Sequence, residues 1–306
     1  SGAGDAIRHA AAALTAIGVS VEQGGHDHAR IGRSALVVVS PGIPPDAPPL
    51  VAARDAGVPI VGELEVALHF LPHQRYLAIT GTNGKTTTTA IAHTLLQGLG
   101  YDTVAAGNIG TPLAEVALRA DQPAWIALET SSFQLHDTPS ISPTVGILTN
   151  LSANHLDRYE SAAEYFADKA HLFRNATERS VWVGNADDDA VQRMLLGVRG
   201  HHRRFTTGAG AADGYYDRAR DRLVVLGETL IARRELALLG DHNVANALAA
   251  ALAVMSADEM HRTAAARARI ADALRAFHAL EHRIEPAGRY GEVEWSNDSK
   301  STNVAS

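Results

Sequence analysis

The chain has 306 residues, 46% of them hydrophobic, which is enough for about two ordinary domains with packed cores rather than a disordered polymer. Lysine and arginine number 27 against 34 aspartates and glutamates, a net charge of −7 without a long basic run, so a nucleic-acid partner is disfavoured. The absence of cysteine excludes disulfides and thiolate metal sites.

Apolar β-rich runs alternate with helical stretches along the chain. ALVVVS (35–40) reads as a buried strand, followed by the loop PGIPPDAPP, a short helix to Ala56 and Gly57. VPIVG (58–62) is a strand and ELEVALHFL a helix. RYLAIT (75–80) is a strand, and KTTTTAIAHTLLQGLG (85–100) a helix closed by glycine. WIALETSS (125–132), TVGILTN (144–150) and SVWVGN (180–185) are further short strands, and residues 215–232 read as a hairpin insertion. Helices are expected near 242–255 and 264–278, then a strand, GEVEWS, at 291–296. The alternation predicts an α/β fold with a mainly parallel sheet covered by helices on both faces. The longest apolar runs, such as ALAAALAVM (247–255), fall short of the ~20 residues of a membrane span. No secretory signal is visible, so a cytoplasmic protein without a membrane partner is expected. The two ends, SGAGDAIRHAAAALTAIG and WSNDSKSTNVAS, read as mid-fold, and residues are expected to be missing at both.

In sheets of this kind ligands sit at the carboxyl ends of the strands. The stretch ITGTNGKTTTTA (79–90) lies at one such end. A glycine turn opening a helix exposes backbone N–H groups and the positive end of the helix dipole, which together bind phosphate. Lys85 can then reach the β- and γ-phosphates, and the Thr86 hydroxyl can ligate magnesium. Ile79 stands where the usual P-loop pattern has its first glycine. A plain helix N-terminus with an incidental lysine is the competing reading. A GTPase is excluded, because neither a D-x-x-G nor an N-K-x-D string occurs. Glu129 ends a buried strand and is either a salt-bridged or exposed carboxylate, or a second magnesium ligand beside Thr86. His155 and Lys169, taken singly, read as a structural histidine and a solvated helix lysine. Asn243 and Asn246 share a helix face. The pairs His26/His28 and His201/His202 read as surface loops.

Taken in order, TGTNGKTTT, GNIGTP (107–112), LETSSFQL (128–135), NHLDRY (154–159), LGDHNVANALAA (239–250), HRIE (282–285) and NDSKSTN (297–303) resemble the Mur ligase family, ATP-dependent amide-bond-forming enzymes of peptidoglycan assembly. The resemblance covers nearly the whole chain. It implies a Rossmann-like UDP-substrate domain, here incomplete, at 1–73. A central P-loop ATPase domain would span 74–280, and the hinge and start of a third α/β domain 281–306. It implies ATP bound by Gly81, Thr82, Asn83, Gly84, Lys85, Thr86, Thr87, Asn243, Asn246, His282, Arg283, Asp298 and Lys300. Thr86 and Glu129 would hold one magnesium ion. His155 and a carbamylated Lys169 would hold a second, which makes Lys85, His155 and Lys169 the catalytic set. Gly42, Asn108, Ser131, Gln134 and His155 would contact the muramoyl substrate. The S-S-F-Q string is similar to that of family members that join D-glutamate to UDP-N-acetylmuramoyl-L-alanine, and a monomer is expected. Residues 1–30 show only helix and loop where the family opens with a strand and glycine-rich turn, and little of the third domain is present. Another amide ligase of the family, or a nucleotide-binding module without ligase chemistry, are the alternatives.

Overall fold

The computed structural model describes residues 2–154, 159–280, 285–291 and 293–299. The chain forms two compact units, residues 1–61 and 62–306. The first carries α1 (Gly2–Ala16), α2 (His28–Ile31), β1 (Val37–Val39), α3 (Pro48–Asp55) and β2 (Ile60–Gly62). Its β1 and β2 form a two-stranded sheet.

The second unit begins with α4 (Glu63–His69), β3 (Tyr76–Thr80), α5 (Lys85–Gly98), β4 (Thr103–Gly107), α6 (Leu113–Ala117), β5 (Trp125–Glu129) and α7 (Ser132–His136). It continues through β6 (Val145–Leu148), α8 (Ala162–Ala170), β7 (Val181–Asn185), α9 (Asp189–Leu195), β8 (His201–Thr206), β9 (Gly214–Asp217), β10 (Arg222–Val225) and β11 (Glu228–Ala232). Helices α10 (Asp241–Ala257) and α11 (Ala264–Ala276) follow, then the antiparallel pair β12 (Glu285–Tyr290) and β13 (Val293–Asn297).

Nine strands form one sheet in the order β11-β10-β9-β8-β7-β6-β3-β5-β4. The pairs from β4 across to β9 are parallel, and β9, β10 and β11 continue antiparallel. The stretch read as a hairpin, 215–232, does form antiparallel hairpins, and its three strands extend the main sheet. Side chains alternate between the faces, as the two-residue period of a strand requires. Leu77, Ile79, Trp125 and Ala127 pack with Ile91 and Leu95 of α5 and with α10 and α11. Tyr76, Ala78, Ile126 and Leu128 pack with Leu64 of α4 and Val116 of α6. Helix α10 has 13 buried residues in 17, so it reads as apolar nearly all round because it is buried nearly all round. Helix α5 ends where Gly100, at φ +92°, lets Tyr101 N–H donate to the Leu96 carbonyl at 3.2 Å, the six-to-one closure that glycine permits. Strand β3 sits between β6 and β5, where the chain order reverses, and its carboxyl end opens into the crevice that such a reversal creates. Among the described residues, no helix is long and apolar enough to cross a membrane.

One histidine belongs to this core. His261 is 1% exposed and packs against Tyr101 and Trp125. Its Nδ1 lies 2.6 Å from the Val254 carbonyl and must therefore be the donor, leaving Nε2 to accept from the Tyr101 hydroxyl at 3.1 Å. Burial, which disfavours the imidazolium, holds this histidine below its ordinary range. The unfolded chain then binds a proton that the folded one refuses. Stability from this group is present above the unfolded value of about 6.5 and falls as pH drops through it, by at most about 1.4 kcal/mol per pH unit. In denaturant melts between neutral and mildly acid pH, His261→Asn should flatten the decline relative to the parent. Parallel declines in the two proteins would contradict this.

Candidate active site

The turn after β3 is held from one side by the chain that follows β6. Thr82 N–H donates to the Asn150 carbonyl at 2.9 Å, and Asn83 N–H to Asn150 Oδ1 at 2.8 Å. Asn150 Nδ2 and Thr149 Oγ1 donate back to the Asn83 carbonyl at 3.0 and 2.7 Å. The Thr82 hydroxyl donates to the Ser152 carbonyl and accepts from its N–H. The turn is thus fixed in shape by hydrogen bonds that do not depend on a ligand. Two glycines make it possible. Gly81 lies at φ +145° with Thr149 Oγ1 where a Cβ would stand, and Gly84 lies at φ +79° against Asn246 Oδ1. Gly84 caps α5, so the first turn of that helix, with its N–H groups, starts at the crevice. Lys85 Nζ folds back onto the turn, donating to the carbonyls of Gly81 and Thr82 at 3.1 and 2.8 Å. Thr86 follows in the first turn of the helix.

Glu129, the last residue of β5, is 1% exposed. Asn108 Nδ2 donates to its Oε1 at 2.8 Å, and Asn108 N–H to its carbonyl at 2.9 Å. Gly107, at φ +98°, lets the chain approach this closely, since a Cβ there would strike the same carbonyl. The other carboxylate oxygen, Oε2, is buried with no hydrogen-bond partner among the described residues. An anionic oxygen in that condition is costly unless a cation meets it, so the site fits a metal ion.

Lys169, on α8, is also 1% exposed, with Nζ 4.5 Å above the Tyr165 ring. It is not the solvated helix lysine that its sequence position alone suggests. Burial holds its amine well below the usual lysine range, with further lowering by the nearby Lys85 ammonium; Glu129 and Asp168 pull the other way. The Tyr165 hydroxyl in turn reaches Thr82 Oγ1 of the turn at 3.5 Å, which places Lys169 beside it. His155 lies outside the described residues.

A cavity of about 420 Å³ opens beside the turn, reached by Asn83, Gly84 and Thr87 on one side and by Asn243 and Asn246 on the other. Asn246 Nδ2 donates to Asn243 Oδ1 at 3.2 Å and accepts at Oδ1 from Thr88 Oγ1; Asn243 Nδ2 donates to the Leu239 carbonyl at 2.8 Å. The two asparagines, each 7% exposed, thus set one wall, and Asp298 lines the same space. Asn185, Asp187 and Thr207 line it as well, and none of them is singled out by sequence reasoning. The signal was present, because Asn185 ends a strand that the sequence does reveal, and the rule that ligands meet strand ends applies to it too. Asp187 is tied down by Thr206 Oγ1 and by Thr207 N–H at 2.8 Å, which fixes that rim of the cavity.

Ser131 and Gln134 occupy the start of α7. Ser131 Oγ accepts from Gln134 N–H at 3.2 Å, and Gln134 Oε1 accepts from Ser131 N–H at 3.0 Å. This reciprocal cap gives both residues a helix-starting role whatever else they touch. Gly42 lies in the first unit, in the turn after β1. His282, Arg283 and Lys300 lie outside the described residues.

A glycine turn at the switch point of a parallel sheet, with a buried carboxylate beside it and a roomy cavity behind, is an arrangement suited to a nucleoside phosphate. The Mur ligase middle domain matches residues 79–254, more than half of the chain. The chain belongs to the Mur ligase family. It is 38% identical over 300 residues to the UDP-N-acetylmuramoylalanine--D-glutamate ligase of Acidobacterium capsulatum, covering 95% of this chain and 63% of that protein. It is 40% identical over 314 residues to the protein of the same name from Frankia casuarinae, covering 98% and 63%. The chain thus spans somewhat under two thirds of the length of these relatives. In fold it is similar to the UDP-N-acetylmuramate:L-alanyl-gamma-D-glutamyl-meso-diaminopimelate ligase of Neisseria meningitides, with a TM-score of 0.59, 20% identity, and coverage of 88% and 87%.

Proposed function

We propose that the chain forms the nucleotide-binding part of an ATP-dependent ligase that joins D-glutamate to UDP-N-acetylmuramoyl-L-alanine in peptidoglycan synthesis. The observation that carries the reading is the buried Lys169, set against Tyr165, whose hydroxyl reaches Thr82 of the glycine turn at 3.5 Å. A bare nucleotide-binding module needs the turn but has no use for a second buried lysine at its mouth. D-glutamate as the incoming amino acid is supported by the names of the relatives and by the S-S-F-Q string.

In this reading the N–H groups of residues 81–87 hold the ATP phosphates, and Asn243 and Asn246 face the adenine, with Asp298, His282, Arg283 and Lys300 completing the nucleotide site. Lys85 leaves its loop carbonyls to follow charge as the bond between the γ-phosphorus and the β–γ bridging oxygen breaks and the phosphoryl group passes to the substrate carboxylate, giving an acyl phosphate and ADP. The amine of D-glutamate then attacks the acyl carbon, a tetrahedral adduct forms, and phosphate departs as the amide bond closes. Thr86 and Glu129 would hold one magnesium ion, and His155 with a carbamylated Lys169 would hold a second. Magnesium supplies neutralisation of the charge that gathers where triphosphate and carboxylate meet. Asn108 orients Glu129 through the 2.8 Å hydrogen bond and is assigned, with Ser131 and Gln134, to the muramoyl substrate; Gly42 is assigned to the UDP side by the family resemblance alone. The enzyme acts as a monomer in the cytoplasm.

Calorimetry should detect ATP binding that depends on magnesium. Glu129→Ala should weaken it by roughly tenfold to a hundredfold, as expected for loss of an ion ligand. Equal affinity with and without magnesium, or in parent and variant, would remove Glu129 from the metal site.

A further inference from the structure

We propose that His136, Asp168 and His171 form a second, separate metal site, selective for a transition-series cation such as Zn²⁺ or Co²⁺, that cross-links α7 to α8. His136 is the last residue of α7, Asp168 lies near the end of α8, and His171 follows that helix, one turn beyond Asp168. One ligand atom from each of the three lies within 4.8 Å of the other two. His136 Nδ1 stands 2.8 Å from Asp168 Oδ1, and His171 Nδ1 stands 3.9 Å from the same oxygen. Ligands at about 2.0–2.1 Å from a tetrahedral zinc ion are about 3.3 Å apart, so the two separations bracket the required value and small side-chain rotations reach it.

Two further observations favour an ion over a plain hydrogen-bonded cluster. His171 Nδ1 is buried without a hydrogen-bond partner among the described residues, although it faces a carboxylate that it does not reach. A buried imidazole nitrogen left so is penalised, and a cation would satisfy it. The carboxylate is also aimed from behind. Tyr159 OH donates to Asp168 Oδ2 at 2.9 Å, and the Tyr159 ring is stacked on Phe133 at 5.4 Å. An outer hydrogen bond of this kind leaves Oδ1 for the ion. The local charge balance is mixed. Asp137, 4.0 Å from His136 Nε2, favours a cation, and the nearby Arg174 guanidinium opposes one. Two imidazoles and one carboxylate are a donor set for zinc, cobalt or nickel rather than for magnesium, which prefers oxygen alone. His136 is more than half exposed, so water has access to a fourth position. The ion would tie the helix that begins at Gln134's capping turn to the one that carries Lys169, one residue from Asp168.

The test is a titration of the chain with Co²⁺, followed by visible absorption, and with Zn²⁺, followed by calorimetry, in excess Mg²⁺ to keep Glu129 occupied. One equivalent should bind, with the intense visible bands of tetrahedral Co²⁺, and Zn²⁺ should raise the melting temperature. His136→Ala, at an exposed position, should weaken binding at least about tenfold, and Tyr159→Phe should weaken it less. His171→Ala should abolish the Co²⁺ bands. Absence of a stoichiometric site, or binding that survives both histidine substitutions and so belongs to His201 and His202 or another pair, would overturn the proposal.

Discussion

In the full-length protein, Lys85→Ala lowers ligation turnover by about a hundredfold or more, because a cation that follows a transferring phosphoryl group is worth several kcal/mol. The geometry gives the reason for expecting so specific a loss. Lys85 is anchored at its backbone in the first turn of α5, and its ammonium rests on two carbonyls of the very turn that would hold the phosphates. Those carbonyls are a resting place that an anion can outbid. The fold should hardly notice the change. The turn is fixed by Asn150, Thr149 and Ser152, none of whose hydrogen bonds to it involves the Lys85 side chain. The melting temperature should therefore stay close to the parent's. Steady-state assays and a thermal melt of the same preparation check both halves, and turnover within about threefold of the parent would remove Lys85 from the chemistry.

The second large effect concerns Lys169. A lysine at 1% exposure near another ammonium is poorly placed to be charged, and its amine is held well below the usual range by burial first and Lys85 second. A neutral amine can attack carbon dioxide, forming an N–C bond and releasing one proton, and the product is an anion. That reverses the sign of the group. It relieves the repulsion with Lys85 and presents oxygen to a magnesium ion, which prefers it. Lys169→Ala should cut turnover by about a hundredfold or more while Mg-ATP affinity, set by residues 81–87, shifts only a few-fold. Depleting bicarbonate should slow the parent and leave the alanine variant unchanged. If bicarbonate depletion leaves the parent as active as before, or if the variant retains its rate, the carbamate has no part in the reaction.

How much of this could be read from the sequence varies from element to element. β3, α5 and the glycine turn between them were legible, because an apolar run, a turn that needs positive φ and a helical period stand side by side. Strands β4 and β8 were not. β4 is TVAAG, short and built of small residues, and β8 begins HHRR with its first residues exposed, so neither shows the apolar run of a buried strand. The stretch from 214 to 232 was recognisable as β structure, but only its pairing with β8 makes it part of the main sheet, and pairing is not written in local pattern. At the site, Glu129 was marked by its place at a strand end, whereas the burial of Lys169 runs against the usual exposure of lysine, and the one hint in AAEYFADKA is that Lys169 stands four residues after Tyr165, on the same helix face. Ser131 and Gln134 carry a second lesson. The S-x-x-Q spacing is a helix-capping signature in its own right, and the two side chains form that cap.

The most direct measurement is phosphate release from ATP by the full-length protein, given UDP-N-acetylmuramoyl-L-alanine and each candidate amino acid in turn, with the ligated product identified by mass. Release should require the muramoyl substrate and magnesium, and only D-glutamate should give a stoichiometric amide product. Turnover with a different amino acid would move the protein to another branch of the family, and ATP binding without ligation of any amino acid would contradict the account.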